Sequence, residues 1–267
     1  MKKEQVQKIA VITGGASGIG KGIADQCRAG GYKVIVISLE DLPQDDGTYF
    51  KCDITNEQKV KEVIETIAKE QGKIDVLVNC AGFGMSGALE LSDSAVARKM
   101  MDVNFWGAFY CFKYAVPFMP RGSKIINIGS VCALFVPPWR GFYAATKSAV
   151  QSLSYGMRME LAHLGIDVCC VNPGEVKTNF TKSRVKNFQT NERYGKRIEN
   201  ATLKVDAGED HRMTPEFVAK KIYKQIKKKK CRHMIIISKK YTALNILVGL
   251  FGMGFVLNMA TKIFSKE

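Results

Sequence analysis

The chain has eight cysteines in 267 residues but no Cys-x-x-Cys pair, and Cys80, Cys169 and Cys170 fall inside the apolar runs "VNCAG" and "VCCVNP". This usage argues against a zinc site and against disulfides, and suits buried thiols in a reducing compartment. The opening "MKKEQVQKIAVITGG" lacks the apolar core of about 7–15 residues that a secretory leader needs, so none is expected. There is no internal repeat, no dividing linker, no zinc-finger or helix-turn-helix spacing and no RNA-stacking motif. Specific nucleic-acid binding is therefore not expected. Acidic residues are also short, 25 against 40 Lys and Arg, for a formal charge of +15. The basic excess gathers in residues 177–197 and 220–240. Such runs are ordinarily solvated faces, and otherwise suit anionic lipid or an acidic substrate.

An apolar fraction of 46% is ordinary for a globular chain of this length and allows one large domain with a full core. Short β-branched runs alternate with helical patterns. Strands are expected at "KIAVITGG", "YKVIVIS", "YFKCDIT", "IDVLVNCAG", "KIINIGS", "IDVCCVNP" and "HMIIIS". Helices are expected over residues 19–29, 57–72 and about 93–118. Continuous apolar strands separated by helices predict an α/β fold, a doubly wound parallel sheet of about seven strands with helices on both faces. Residues 1–240 form this domain, and 241–267 form a hydrophobic C-terminal extension.

"TGGASGIG", residues 13–20, follows the first strand and opens the first helix. Glycines at 14, 18 and 20 let the backbone pass close to a pyrophosphate held at the helix N-terminus. Further along, "GFYAATKSAV" places Tyr143 four residues before Lys147, on one helix face. Alone, that spacing describes an ordinary surface helix.

Taken in order, the motifs resemble those of the classical short-chain dehydrogenases/reductases, broadly the hydroxysteroid and retinol dehydrogenase types. "TGGASGIG" resembles that family's glycine turn, and "NCAG" (79–82) its Asn-Asn-Ala-Gly turn with Cys80 in place of the second asparagine. "VNFWG" (103–107) resembles the segment carrying the helix asparagine, Asn104; "INIGS" (126–130) ends in the serine, Ser130; "NPGEVKT" (172–178) resembles the nicotinamide-side loop. The resemblance implies a Rossmann-like sheet and hydride transfer between a nicotinamide cofactor and a secondary alcohol or ketone. Under it, Tyr143 is the general acid and base, Lys147 lowers its pKa and binds the nicotinamide ribose, and Ser130 holds the substrate oxygen. Asn104 binds a relay water. Gly14, Ser17, Gly18, Ile19 and Gly20 would hold the pyrophosphate. Asp53 and Ile54 would contact the adenine, and Asn79, Ala81 and Gly82 its ribose. Pro173, Val176 and Thr178 would grip the nicotinamide. No metal is implied. A catalytically silent dinucleotide-binding regulator is the alternative, against which the intact Ser130, Tyr143 and Lys147 set argues.

Ser38 stands where NAD-preferring members carry an aspartate, Leu39 where NADP-preferring members carry a basic residue. Glu40 and Asp41 disfavour a 2′-phosphate and Lys21 favours one, so NAD is preferred over NADP. A substrate loop is expected over about 179–214, with Phe180, Phe188 and Tyr194 among its basic residues. Met85, Leu134, Phe135, Val136 and Trp139 would line an apolar pocket for a small hydrophobic substrate such as a steroid, retinoid or keto-lipid. A homo-oligomer, dimer or tetramer, is expected from the family. "YTALNILVGLFGMGFVLNMAT" (241–261) has no charged residue. It reads as a transmembrane anchor, an interfacial element making peripheral membrane contact through 241–264, or a lid and dimer element. Its glycines argue against a clean span, and Lys227–Lys230 would favour an anionic surface. The expected location is cytoplasmic, at the cytosolic face of a membrane where the tail engages lipid.

Overall fold

The structure is a computed structural model and describes residues 7–41, 48–182, 184–187, 189, 190, 192–207 and 212–264. Its centre is a parallel sheet of β1 (Ile9–Thr13), β2 (Lys33–Ser38), β3 (Tyr49–Lys51), β4 (Val76–Asn79), β6 (Lys124–Ile128), β7 (Asp167–Pro173) and β9 (Met234–Ile237). A separate two-stranded ladder pairs β5 (Met85–Ser86) with β8 (Val185–Lys186), which the apolar pattern did not signal because each strand is two residues long. The helices are α1 (Gly18–Ala29), α2 (Glu57–Gln71), α3 (Ser94–Met101), α4 (Gly107–Ala115), α5 (Gly141–Glu160), α6 (Asn179–Lys182), α7 (Arg197–Ala207), α8 (Pro215–Lys227) and α9 (Lys239–Phe264).

Successive residues of a strand face opposite sides, and here both sides are apolar. In β1, Ile9 and Val11 join the core beneath α2, α4 and α5, while Ala10 and Ile12 join the one beneath α1 and α8. Ile35 and Ile37 of β2 follow the first pair, Val34 and Val36 the second. This explains why the strands read as unbroken apolar runs. Helix boundaries follow local chemistry: Asn56 caps α2 by accepting from the Lys59 amide at 3.0 Å, and Gly72 ends it in a left-handed turn.

The strand order is β3-β2-β1-β4-β6-β7-β9. It runs outward in opposite directions from β1 and β4, so a crevice opens at the carboxyl ends of those two strands. The helix expected over 93–118 is not continuous. A π-helical turn, Asp102–Trp106, separates α3 from α4, and a 3-10 turn, Val116–Phe118, follows. The expected strands around 49–55 and 74–82 are shorter, ending at Lys51 and Asn79, because the chain then turns into the crevice. All eight cysteines are free; seven are buried and Cys80 is partly so.

Candidate active site

A cavity of roughly 720 Å³ occupies the crevice and runs from the glycine turn to the start of α9. At one end, the Gly14 amide donates to the Ile37 carbonyl at 2.8 Å. Gly14 has φ +64°, and a Cβ there would lie 2.9 Å from the Ala81 Cα, so glycine is required by conformation and by space. The Thr13 hydroxyl accepts from the amides of Cys80 at 3.0 Å and Ala81 at 3.2 Å. The start of α1 makes no side-chain cap hydrogen bond through Ser17 and has no acidic residue in its first turn. Ser17, Gly18, Ile19 and Gly20 all line the cavity. A helix N-terminus left this way, opened by close-packed glycines, fits a pyrophosphate.

The neighbouring wall holds Ser38, Leu39, Glu40, Asp53 and Ile54, and the opposite wall Pro173, Val176 and Thr178. Ser17 Oγ lies 3.5 Å from Glu40 Oε1, which brings a carboxylate to the glycine turn. Lys21 instead pairs with Asp25 at 2.7 Å on the exposed face of α1. Asp53 accepts from the Thr55 amide at 3.0 Å and the Thr55 hydroxyl at 2.8 Å, which fixes its side chain.

At the other end, α5 carries Tyr143 and Lys147 into the cavity wall, both buried. Ser130 is set by its backbone: its amide donates to Asn172 Oδ1 at 3.0 Å, and its Oγ accepts from the Cys132 amide at 3.1 Å. Asn172 in turn donates to Gln151 of α5 at 2.6 Å, so Asn172 of β7 links Ser130 to the tyrosine helix. The Tyr143 ring packs against Phe180 with centroids 5.7 Å apart. Gly84 permits that contact, since a Cβ there would meet Phe180 at 3.2 Å and Tyr143 at 3.4 Å.

Burial raises the Tyr143 pKa above its ordinary value, while a hydrogen bond with Ser130 and the Arg140 and Arg184 charges oppose the rise. Lys147 lies one turn further along the same helix. Its Nζ donates to the Ile128 carbonyl at 2.8 Å, and burial lowers its own pKa. The Arg140 and Arg184 charges that favour the phenolate come from separate loops. Cys80 lines the cavity near Lys147, and burial pushes its thiol up to about 11, so it is held as an unreactive thiol.

Of the residues singled out from the sequence, Gly14, Ser17, Gly18, Ile19, Gly20, Ser38, Asp53, Ile54, Ala81, Gly82, Ser130, Trp139, Tyr143, Lys147, Pro173, Val176 and Thr178 line the cavity. Asn79, Asn104, Met85, Leu134 and Phe135 do not. Asn79 turns into the core and donates to Asn127 Oδ1 at 2.8 Å. Asn104 braces Phe83 and Thr146 from behind the wall. Met85 packs beneath the site with Met100 and Ala144. Leu134 closes the short turn Val131–Ala133, and Phe135 stacks on Tyr241 at 5.9 Å. Phe188 lies outside the described residues. The wall also includes Phe83, Arg140, Glu175, Arg184, Lys240 and Tyr241. Gly84, a glycine without a turn to explain it, was the available signal for the Phe180 contact.

Residues 8–189 match the family model described as short chain dehydrogenase. A 3-ketodihydrosphingosine reductase of Bacteroides thetaiotaomicron is 37% identical over 182 residues, 66% of this chain and 67% of that protein. A short-chain dehydrogenase structure from Streptomyces avermitilis superposes with a TM-score of 0.80 at 25% identity, covering 97% of this chain and 98% of that one. ElxO with NADP bound gives 0.72 at 28% identity, covering 89% and 99%.

Proposed function

Because the chain belongs to the short-chain dehydrogenase family and is an NAD(P)-dependent oxidoreductase, we propose that it reduces the ketone of a lipid-like substrate to a secondary alcohol, with Tyr143 as proton donor. The observation that carries this reading is the placement of Tyr143. Its phenol is buried and kept protonated by that burial, in the same cavity as Ser130 and the glycine turn. Ser17, Gly18, Ile19 and Gly20 would hold a nicotinamide dinucleotide, which would supply the hydride. The Tyr143 hydroxyl donates its proton to the carbonyl oxygen, and Ser130 steadies that oxygen as charge develops on it. Lys147, anchored on Ile128, faces the cavity as a fixed donor, and Phe180 screens the phenol from water.

Two features support an apolar ketone. Phe83, Val131, Trp139, Phe180 and Tyr241 form much of the wall beyond Tyr143. The 37%-identical relative is named for reduction of a long-chain keto-lipid. Glu40 beside Ser17 supports NAD over NADP, because a carboxylate accepts from ribose hydroxyls and repels a 2′-phosphate. The test is oxidation of NADH and NADPH with 3-ketodihydrosphingosine, steroid and retinoid carbonyls. Turnover of the keto-lipid above the others supports the reading. Absence of turnover with every carbonyl, despite dinucleotide binding, would leave a silent binding protein.

A further inference from the structure

The helix α9 is poorly covered by the rest of the fold. In its uncharged stretch Val256 is buried, while Ile246, Leu250, Phe251, Met253, Phe255 and Leu257 are exposed. Over Lys239–Asn258 the mean hydropathy is 1.5 and 6% is buried. Leu250 and Phe251 are adjacent and therefore point about 100° apart, so the apolar surface is not a single stripe. A helix apolar on several sides belongs in a core or in lipid, and this one is outside the core.

Charge selects the covering partner. Lys239 and Lys240 are exposed at the start of α9. The loop that leaves the carboxyl end of β7, on the same end of the sheet, exposes Lys177, Lys186, Lys196 and Arg197. The run Lys227–Lys230 does not share this face, because it precedes β9 and α9 follows it. An anionic surface therefore meets both the apolar helix and a basic loop at the cavity end of the molecule. Gly252, at φ 78° and ψ 164°, divides α9 into two runs, each shorter than the roughly 20 residues of a membrane crossing.

We infer that α9 seats in the headgroup and upper acyl region of an anionic bilayer leaflet, without crossing it, and turns the cavity mouth toward the lipid. Its first turn forms part of the cavity: Lys240 and Tyr241 line it, and the Tyr241 hydroxyl donates to Glu175 at 2.8 Å. A ketone partitioned in the leaflet then enters beside Tyr241 and reaches Tyr143 without passing through water. The seating stands on α9 and the basic loop beside it; the entry route rests on the proposed lipid-ketone reductase activity.

The test is sedimentation of the full chain with vesicles of phosphatidylcholine, with and without phosphatidylglycerol. Wild type pellets with the anionic vesicles, and Leu250→Glu/Phe251→Glu weakens that binding about a hundredfold, the loss of two buried large apolar side chains. Both side chains are exposed, so the variant folds, and it retains turnover of a short water-soluble ketone while losing turnover of a vesicle-embedded one. Failure of wild type to pellet overturns the seating. So does equal pelleting of the variant, which would mean attraction by surface charge alone. Dimers by light scattering that the variant abolishes, without vesicle binding, would assign the helix to a second copy. Vesicle binding with no turnover of either ketone leaves the seating intact and defeats the activity.

Discussion

The Thr13 hydroxyl, at the end of β1, receives the backbone amides of both Cys80 and Ala81, at 3.0 and 3.2 Å, beyond the end of β4. One side chain thereby closes the crevice floor across 68 residues of sequence and holds Ala81 against the glycine turn. Thr13→Val keeps the shape and removes the acceptor, leaving two amides without it. The expected cost is about 1–3 kcal/mol of stability, read as a lower denaturation midpoint at unchanged slope, with weaker NADH binding in parallel.

Tyr143→Phe keeps the ring that packs on Phe180 and deletes the proton. Turnover should fall by about 10²–10⁴, the usual contribution of a positioned acid, while the dissociation constant for NADH changes little. Stopped-flow binding and steady-state turnover separate the two. Wild-type turnover in this variant would remove Tyr143 from the mechanism.

The raised Tyr143 pKa fixes the sign of the pH dependence. Reduction needs the protonated phenol, so its rate should hold flat through neutral pH and fall only on the alkaline side. Alcohol oxidation needs the phenolate and should climb with pH, about tenfold per unit below that pKa. Arg140→Gln removes a charge that favours the phenolate, and should move the oxidation limb to higher pH. Rate profiles in both directions measure this.

Glu40 near Ser17 predicts cofactor choice. Glu40→Ala should raise kcat/KM for NADPH by about 10–100-fold relative to NADH, since a like-charge contact of about 1–3 kcal/mol is removed. An unchanged ratio would place the ribose elsewhere.

The sheet and the reacting residues were legible because each rests on local sequence: apolar strands that need both faces covered, glycines at fixed turns, and Tyr143 and Lys147 one turn apart. What the sequence does not show depends on direction and distance. Asn79 belongs to the motif that resembles a ribose-binding turn, but its side chain leaves β4 on the core side and meets Asn127. Phe135 lies five residues from Ser130, yet it is occupied by Tyr241, 106 residues later. Arg140 and Arg184 reach the phenol from separate loops, which no spacing could show. Lys147 has the expected position, and one of its three donors is held by the Ile128 carbonyl.

Asn104 separates a relay from a brace. Its Oδ1 accepts from the Phe83 amide at 3.0 Å, and its Nδ2 donates to the Phe83 carbonyl at 3.0 Å and to Thr146 at 2.9 Å. Both amide hydrogens are committed, and a Cβ on Gly82 would lie 2.7 Å from Oδ1, so the side chain is walled in. A π-helical turn places it there, where an ordinary helical turn would rotate it away. Asn104→Ala leaves the Phe83 amide and carbonyl unanswered and loosens the wall between Gly82 and Phe83. The expected result is a loss of about 1–3 kcal/mol of stability and a lower kcat at every pH, with the shape of the pH profile preserved. A side-chain relay role predicts the opposite pattern, intact stability with a displaced or distorted pH profile. Thermal denaturation and pH–rate curves on the one variant therefore decide whether Asn104 moves protons or holds the loop that frames them.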